Sequence, residues 1–380
     1  MIIGATLGTV YVIIPLLIKA AGVIASVVGM AFTRVGKKGN PGASLNRGSW
    51  ATCVIFALVL AIIIWVLKVE GGWGIFWVAV FGLAVGIIIG MTTDFFTSID
   101  RTPVKKTAES AKTGAATVIL SGFSYGILSI IFPIIGIVIA TVASWYISVA
   151  FGLEPIYGIG IAAIGILSTL GMIIAADAYG PIVDNARGIT EQAGLGKEVL
   201  EVTDRLDAAG NTAKAMSKGF AIGAASLQVI ALFAAYAVIV NVQTFNLIGP
   251  EVIAGLFLGS MMPPVISAIL MLAVGKNAFK MVEEVRRQFK EIPGLLAGNA
   301  KPDYARCVDI ATKGALKELI LPGVLAVIVP LIVGFILGVQ ALGGFLAGSI
   351  FSGIIFALLM SNGGGMWDNA KKFIEAGKFG

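Results

Sequence analysis

Residues 155–194 of the chain read PIYGIGIAAIGILSTLGMIIAADAYGPIVDNARGITEQAG. The first part, residues 155–176, carries no charged side chain and matches the roughly 20 apolar residues that a helix needs to cross a bilayer. Polar side chains then follow in quick succession: Asp177, Asp184, Asn185 and Arg187. The stretch therefore predicts a membrane-spanning helix that ends in a polar cluster.

The composition of the whole chain predicts an all-α, polytopic membrane helix bundle. Of its 380 residues, 58% are hydrophobic, and the mean hydropathy is +0.97. Only 13% are charged, against about 25% in soluble globular proteins. The sequence has no histidine and two cysteines, which excludes histidine metal sites, Ser-His and Cys-His triads and a disulfide framework. Any bound metal must be a hard cation with oxygen ligands. The first apolar run lacks a basic n-region, so we predict no signal peptide.

Nine apolar segments are long enough to span a membrane. They lie at about 1–33, 50–68, 72–97, 113–148, 154–183, 212–241, 250–275, 316–338 and 341–361. Several are longer than a bilayer requires, which predicts helices that continue into water. Glycine is abundant, with 49 residues, as expected where membrane helices pack closely.

The positive charges lie on one side of these nine segments. Of the 27 Lys and Arg residues, 25 fall in the segments 34–47, 101–112, 187–218, 276–317 and 371–378. The positive-inside rule places these segments in the cytoplasm, with the N-terminus outside and the C-terminus inside. The net charge of +6 is thereby explained as a topology signal, so we predict no nucleic-acid binding.

Three polar clusters occur where an apolar segment meets the cytoplasm. The first contains Asp177, Asp184, Asn185 and Arg187. The second contains Asp204, Asp207, Asn211, Lys214 and Lys218, of which the first four share one helical face. The third contains Asp368, Asn369, Lys371 and Lys372.

These clusters have two physical interpretations. They are solvated helix ends, with acids in first turns and bases in last turns that complement the helix dipole. Alternatively, they form one site for a polyanion, because carboxylates hold Mg²⁺ and lysines hold phosphates as point charges. Residue chemistry alone leads to an oxyanion or phosphate site at the cytoplasmic mouth of a helix bundle. It does not choose between transport and hydrolysis.

At these clusters the chain resembles the membrane-bound, ion-pumping inorganic pyrophosphatases. The motifs that carry the resemblance include TGAATVILSGFSYG (113–126), AADAYGPIVDNARGITEQAG (175–194), TDRLDAAGNTAKAMSKGFAIGAASL (203–227), a long match over 280–323 and GGMWDNAKKFIEAG (364–377). The match covers the C-terminal half of the family's chain, from about its seventh span through its fifteenth of sixteen. Residues 1–380 are expected to form a single transmembrane domain, with inner-ring spans at about 154–193, 204–241 and 341–375.

The resemblance implies a homodimeric pump that hydrolyses cytoplasmic pyrophosphate, held by Mg²⁺, and moves H⁺ or Na⁺ across the lipid bilayer of a cell membrane or an acidified internal membrane. It implies that Asp184, Asn211 and Asp368 bind Mg²⁺ and pyrophosphate, and that Lys371 binds phosphate. Asp204 and Asp207 are expected to be structural. The family's K⁺-dependent members have alanine where this chain has Lys214, so the resemblance implies a K⁺-independent proton pump.

Two acidic signatures of the family are absent from the sequence, and with them most Mg²⁺ ligands and the residues that activate water. We therefore expect the chain to be a fragment that does not hydrolyse pyrophosphate alone, and we assign no catalytic residue. Two other functions stay open at this point. A secondary transporter with a cytoplasmic anion site would have internal repeats with broken helices, and no convincing repeat is present. A non-catalytic remnant would retain part of a site.

Overall fold

The computed structural model describes residues 1–36, 39–242 and 244–377, and every regular element in these ranges is helical. Lys37, Lys38 and Lys378, which belong to the predicted cytoplasmic segments, lie outside the described residues. The α-helices are α1 Ile2–Leu7, α2 Thr9–Met30, α3 Pro41–Leu67, α4 Gly72–Thr97, α5 Thr102–Ser110, α6 Ala115–Leu128, α7 Ile131–Ala150, α8 Pro155–Ile166, α9 Leu170–Gln192, α10 Lys197–Ile239, α11 Pro250–Glu291, α12 Tyr304–Glu318 and α13 Ile320–Glu375.

Side-chain caps and prolines mark where several helices begin. The Asn40 side chain accepts a hydrogen bond from the Ala43 amide at the start of α3, and Glu154 accepts one from Tyr157 at the start of α8. A proline follows each cap, at the position where its missing N–H costs nothing. Asp303 caps α12 in the same way, through the amide of Arg306.

The prediction of an all-α polytopic membrane fold is confirmed. Eight helical runs in the described part of the chain are long and apolar enough to cross a membrane. The sequence predicted nine spans, and the difference lies at residues 320–375. There Gly338 has a left-handed φ of 86°, so it interrupts the helical path of α13 between the two predicted spans 316–338 and 341–361. As expected, α10 and α11 extend well beyond bilayer length, over 43 and 42 residues.

The chain divides into two compact units, residues 1–236 with 357–380 and residues 237–356. In the first unit, α4 and α8 meet through glycines. A Cβ at Gly82 would overlap the Ala162 carbonyl, and a Cβ at Gly165 would overlap the Ala79 carbonyl. The two backbones therefore approach more closely than any larger residue allows, as is common between membrane helices.

In the second unit, glycines of α11 likewise allow a close approach to the first part of α13. A Cβ at Gly255 would overlap the carbonyl of Ala341, and one at Gly259 would overlap that of Phe345. Met262, Val333, Ala341 and Phe345 form the buried core beside this contact. Helix α12 packs along the polar end of α11, with Gly314 against the Asn277 side chain.

Candidate functional site at the polar ends of three helices

The four residues predicted to share one face of α10, here called the α10 stripe, form a row of contacts to α9 and α13; they are Asp204, Asp207, Asn211 and Lys214. Arg187 of α9 donates from Nε to Oδ1 of Asp204 at 2.9 Å, and Lys214 lies 3.5 Å from Oδ2 of Asp184. The other two stripe residues contact α13: Asp207 pairs with Lys372, and Asn211 donates to Asn369. This is possible because Pro181 does not interrupt α9, so one continuous helix carries Asp184 and Arg187.

Three residues that the sequence singled out for ligand binding or K⁺ independence are in contact. The ammonium of Lys214 lies 3.5 Å from the Asp184 carboxylate and 3.4 Å from Oδ1 of Asn211. Asp184 is 55% exposed, whereas Asn211 is buried. The arrangement places one cation between two acceptor oxygens, with the carboxylate open to solvent.

Asn369 joins this group to two further elements. It is fully buried, and its Oδ1 accepts a hydrogen bond from Asn211 at 3.1 Å. Its Nδ2 donates to the carbonyl of Thr97 in α4 at 2.6 Å, and lies 3.4 Å from Oγ1 of Thr212. A buried amide whose donors and acceptor are all engaged has one favoured orientation, so Asn369 fixes the orientation of the Asn211 amide.

Two adjacent lysines of the third cluster have different environments. Lys372 is 16% exposed and pairs at 2.5 Å with Asp207, which is 1% exposed. Lys371 is 67% exposed and pairs with Glu375, one turn along its own helix. Successive residues of a helix point about 100° apart, which is why one lysine faces the protein interior while the next faces solvent. Lys371 is thus available to a ligand, whereas Lys372 neutralises a buried carboxylate.

Asp368 and Lys371 are not in contact with the group around Lys214. They lie one turn apart on α13, where Lys371 is exposed and Asp368 is half-buried, and Asp368 has no ion-pair or hydrogen-bond partner among the described residues. The buried face of the same helix carries Asn369 and Lys372. Asp177 and Lys218 are exposed, and the Asn185 side chain donates to the Pro181 carbonyl of its own helix.

The donor set fits Mg²⁺ in kind but not in number. Asp184, Asn211 and Asp368 offer carboxylate and amide oxygens, which are ligands for a hard cation. Within residues 1–36, 39–242 and 244–377, however, no three Asp, Glu, His or Cys side chains are close enough to hold a metal ion together. These residues could therefore supply only part of a coordination shell.

A cavity of about 1320 Å³ lies beside the row of contacts, and the predicted ligand residues do not line it. Its walls include Arg187, Asp204 and Lys372. Four cations and six carboxylates line the cavity in all, so its walls offer no net positive charge to a polyanion. The cavity therefore fits pyrophosphate less well than the group around Lys214.

The sequence interpretation missed the roles of Asn369 and of the Asp207–Lys372 pair. Asn369 was placed in the third cluster, but nothing in the sequence separated it from its neighbours. The available signal was helical spacing: positions 369 and 372 share one face of α13, and positions 368, 371 and 375 share another. The sequence does not say which of those faces is buried. The expectation that Asp204 and Asp207 are structural agrees with their ion pairs to Arg187 and Lys372.

A family model and several relatives match this chain. A family model described as inorganic H⁺ pyrophosphatase matches residues 1–380. A relative in Methanosarcina mazei, named a K(+)-insensitive pyrophosphate-energized proton pump, is 46% identical over 97% of this chain and 55% of its own length. One in Clostridium tetani, named a putative K(+)-stimulated pyrophosphate-energized sodium pump, is 45% identical over 99% of this chain and 57% of its own. A Moorella thermoacetica protein, named K(+)-insensitive pyrophosphate-energized proton pump 2, is 43% identical over the whole chain and 58% of its own length. The chain thus spans between half and two thirds of these relatives.

Proposed function

The chain belongs to the inorganic H⁺ pyrophosphatase family, and from this premise we propose that it forms part of a pump that hydrolyses Mg-pyrophosphate and moves protons across a membrane. The whole activity is assigned to the complete protein, because the chain spans only 55–58% of the relatives described above. The secondary-transporter interpretation is not favoured, since the family match covers the full 380 residues.

The observation that carries the proposal is the contact of Lys214 with Asp184 and Asn211. A site for the complex of Mg²⁺ and pyrophosphate needs oxygen ligands for the metal and cations for the phosphate oxygens. This group offers both at the polar ends of α9 and α10. Bound Mg²⁺ would neutralise phosphate charge and polarise the phosphorus–oxygen bonds.

Each residue has a defined part in this proposal. Asp184 and Asn211 contribute oxygen ligands to Mg²⁺, and the half-buried Asp368 contributes another from α13, one turn before Lys371. Lys371, which is exposed, holds a phosphate oxygen. Asn369 is a positioning residue that orients Asn211. The attacking water has no base among these residues, so we expect residues 1–380 alone to bind Mg-pyrophosphate without hydrolysing it.

The orientation and the assembly belong to the same proposal. The basic segments, and with them the pyrophosphate site, face the cytoplasm, because 25 of the 27 Lys and Arg residues lie on that side. The protein is a homodimer, as the family resemblance implies. Protons rather than sodium ions are moved, in keeping with Lys214, although relatives carry both kinds of name.

The proposal is tested with the complete gene, sequenced through both flanks of this reading frame and expressed in a host membrane. Inverted vesicles should release phosphate from Mg-pyrophosphate and acidify their lumen, and a protonophore should collapse the acidification. Phosphate release without acidification would contradict a pump. Sodium uptake that persists with the protonophore would contradict proton transport. Absence of hydrolysis would contradict the pump and favour a non-catalytic remnant that retains part of the site.

Potassium should not stimulate the wild-type protein. The Lys214 ammonium already occupies the position between Asp184 and Asn211, so phosphate release is expected to be equal in K⁺-free and K⁺-replete buffer. Lys214→Ala should lower the rate without K⁺ by about 10-fold or more, since hydrogen bonds to charged groups contribute about 1.5–3 kcal/mol. Added K⁺ should restore much of that loss.

The matched control is Lys197→Ala, which removes an exposed lysine at the start of the same helix and should behave as wild type. Strong K⁺ activation of the wild type would refute the role of Lys214.

A further inference from the structure

We propose that the second unit binds the phosphate headgroup of an anionic membrane lipid in a pocket between α11 and α12. The pocket has a volume of about 300 Å³, and its lining carries Lys280, Arg306, Lys313 and Lys317 with one carboxylate, Asp309. Four cations against one anion give the walls a net charge of +3. The pocket shares no residue with the proposed pyrophosphate site, and its occupant does not depend on hydrolysis.

The nearby carboxylates leave most of this charge unpaired. Asp309 pairs with Lys313 at 2.9 Å, and Glu318 pairs with Lys276 at 2.8 Å. Glu284 lies near Arg306, but both of its oxygens accept hydrogen bonds from Arg287.

Lys280, Arg306 and Lys317 have no ion-pair partner within the part of the chain that the structure describes. Three unpaired cations around one cavity are suited to a phosphate group.

The position of the pocket matches the headgroup region of a bilayer. Lys317 lies three residues before α13, whose apolar path begins at Ile320, and Lys280 lies five residues after Gly275, where the apolar part of α11 ends. At 1.5 Å per helical residue, these cations are about 5–8 Å from the apolar segments. The headgroup layer occupies about 5–8 Å on each side of the hydrocarbon core.

Apolar side chains at the membrane end of the pocket favour a lipid over a free anion. Leu316 and Leu319 flank Lys317 and are more than half exposed, as is Ile320 at the start of α13. The cations of the pocket are therefore followed, toward the membrane, by exposed apolar side chains. A phospholipid has the same arrangement, with a charged headgroup followed by acyl chains. Basic pockets between membrane helices are known to take anionic headgroups in this way.

The test measures lipid binding to the purified chain in a neutral detergent. Titration with a fluorescent phosphatidylglycerol should give tighter binding than the matched phosphatidylcholine. Each basic residue near an anionic headgroup changes the binding constant about fivefold, so the triple variant Lys280→Gln, Arg306→Gln, Lys317→Gln should bind phosphatidylglycerol about 100-fold more weakly. Equal thermal stability of variant and wild type establishes that both are folded.

The matched control is Arg286→Gln, Lys290→Gln, Lys301→Gln, which removes the same charge from exposed positions outside the pocket. It should bind the lipid nearly as wild type does. An equal loss in both variants would mean a general surface-charge effect and would overturn the proposal. Equal binding of the two lipids would also overturn it, as would displacement of phosphatidylglycerol by millimolar inorganic phosphate, which would identify a free-anion site.

Discussion

Replacing Lys372 with methionine is expected to destabilise the protein by about 3–5 kcal/mol. The substitution keeps an unbranched side chain of similar length but removes its charge. The Asp207 carboxylate, which is 1% exposed, is left without its cation. Breaking a buried ion pair by removing one partner costs about this much, because the remaining charge is neither paired nor hydrated. Thermal unfolding of the purified chain in detergent, followed by tryptophan fluorescence, measures the loss. Trp367 is a suitable reporter, because it lies on the same helix and bonds to the Val118 carbonyl.

Lys371→Met is the matched control, since it makes the same change one residue earlier. The Lys371 side chain is 67% exposed and its partner Glu375 is on the surface, so the cost should be within about 1 kcal/mol. The double variant Asp207→Asn, Lys372→Met removes both charges and should recover much of the lost stability. Equal shifts for Lys371→Met and Lys372→Met would show that the buried pair does not form.

Replacing Asn369 with alanine is expected to lower kcat/KM for Mg-pyrophosphate by about 10–100-fold in the complete protein. That is the usual cost of losing a group that orients a metal ligand. The loss should be seen mainly in the KM for Mg-pyrophosphate, because Asn369 orients Asn211 and does not touch the substrate. The exposed loop residue Asn299 supplies the control variant Asn299→Ala, which should leave the KM unchanged.

A double-mutant cycle separates positioning from a general loss of structure. If Asn369 acts through Asn211, Asn211→Ala should raise the KM by at least as much as Asn369→Ala does. The double variant should then be little worse than Asn211→Ala alone, because contacting residues that act in one network are not additive. Fully additive effects on the KM would mean that Asn369 supports the site by some route other than its 3.1 Å bond to Asn211.

Much of the fold follows from local sequence. The apolar run 155–176, the caps at Asn40 and Glu154 and the prolines that follow them all lie where helices begin or continue. The one difference in span number arises because Tyr304–Glu375 counts as one apolar helical run, although Gly338, whose backbone is left-handed, interrupts it between the two predicted spans 316–338 and 341–361. Glycine can adopt such a backbone without strain, but its presence in the sequence does not require it.

The candidate site was predicted in part. Asp184, Asn211 and Lys214 follow from their motifs, and the structure brings them into contact. The motifs also place Asp368 and Lys371 on one helical face, and neither residue makes a hydrogen bond or an ion pair to the group around Lys214 among the described residues. The positioning role of Asn369 was not foreseen, because its partners Thr97 and Asn211 are far away in sequence.

The sequence by itself determined the membrane fold, the number of polar clusters and the helical spacing within each, because hydropathy and spacing are properties of consecutive residues. Only the tertiary structure decided which face of α13 is buried, and hence that Lys372 neutralises Asp207 while Lys371 stays exposed. That choice depends on how α13 is rotated against α4 and α10, whose residues lie more than 150 positions earlier in the chain. A rotation of about 100° would exchange the two lysines without changing the sequence pattern.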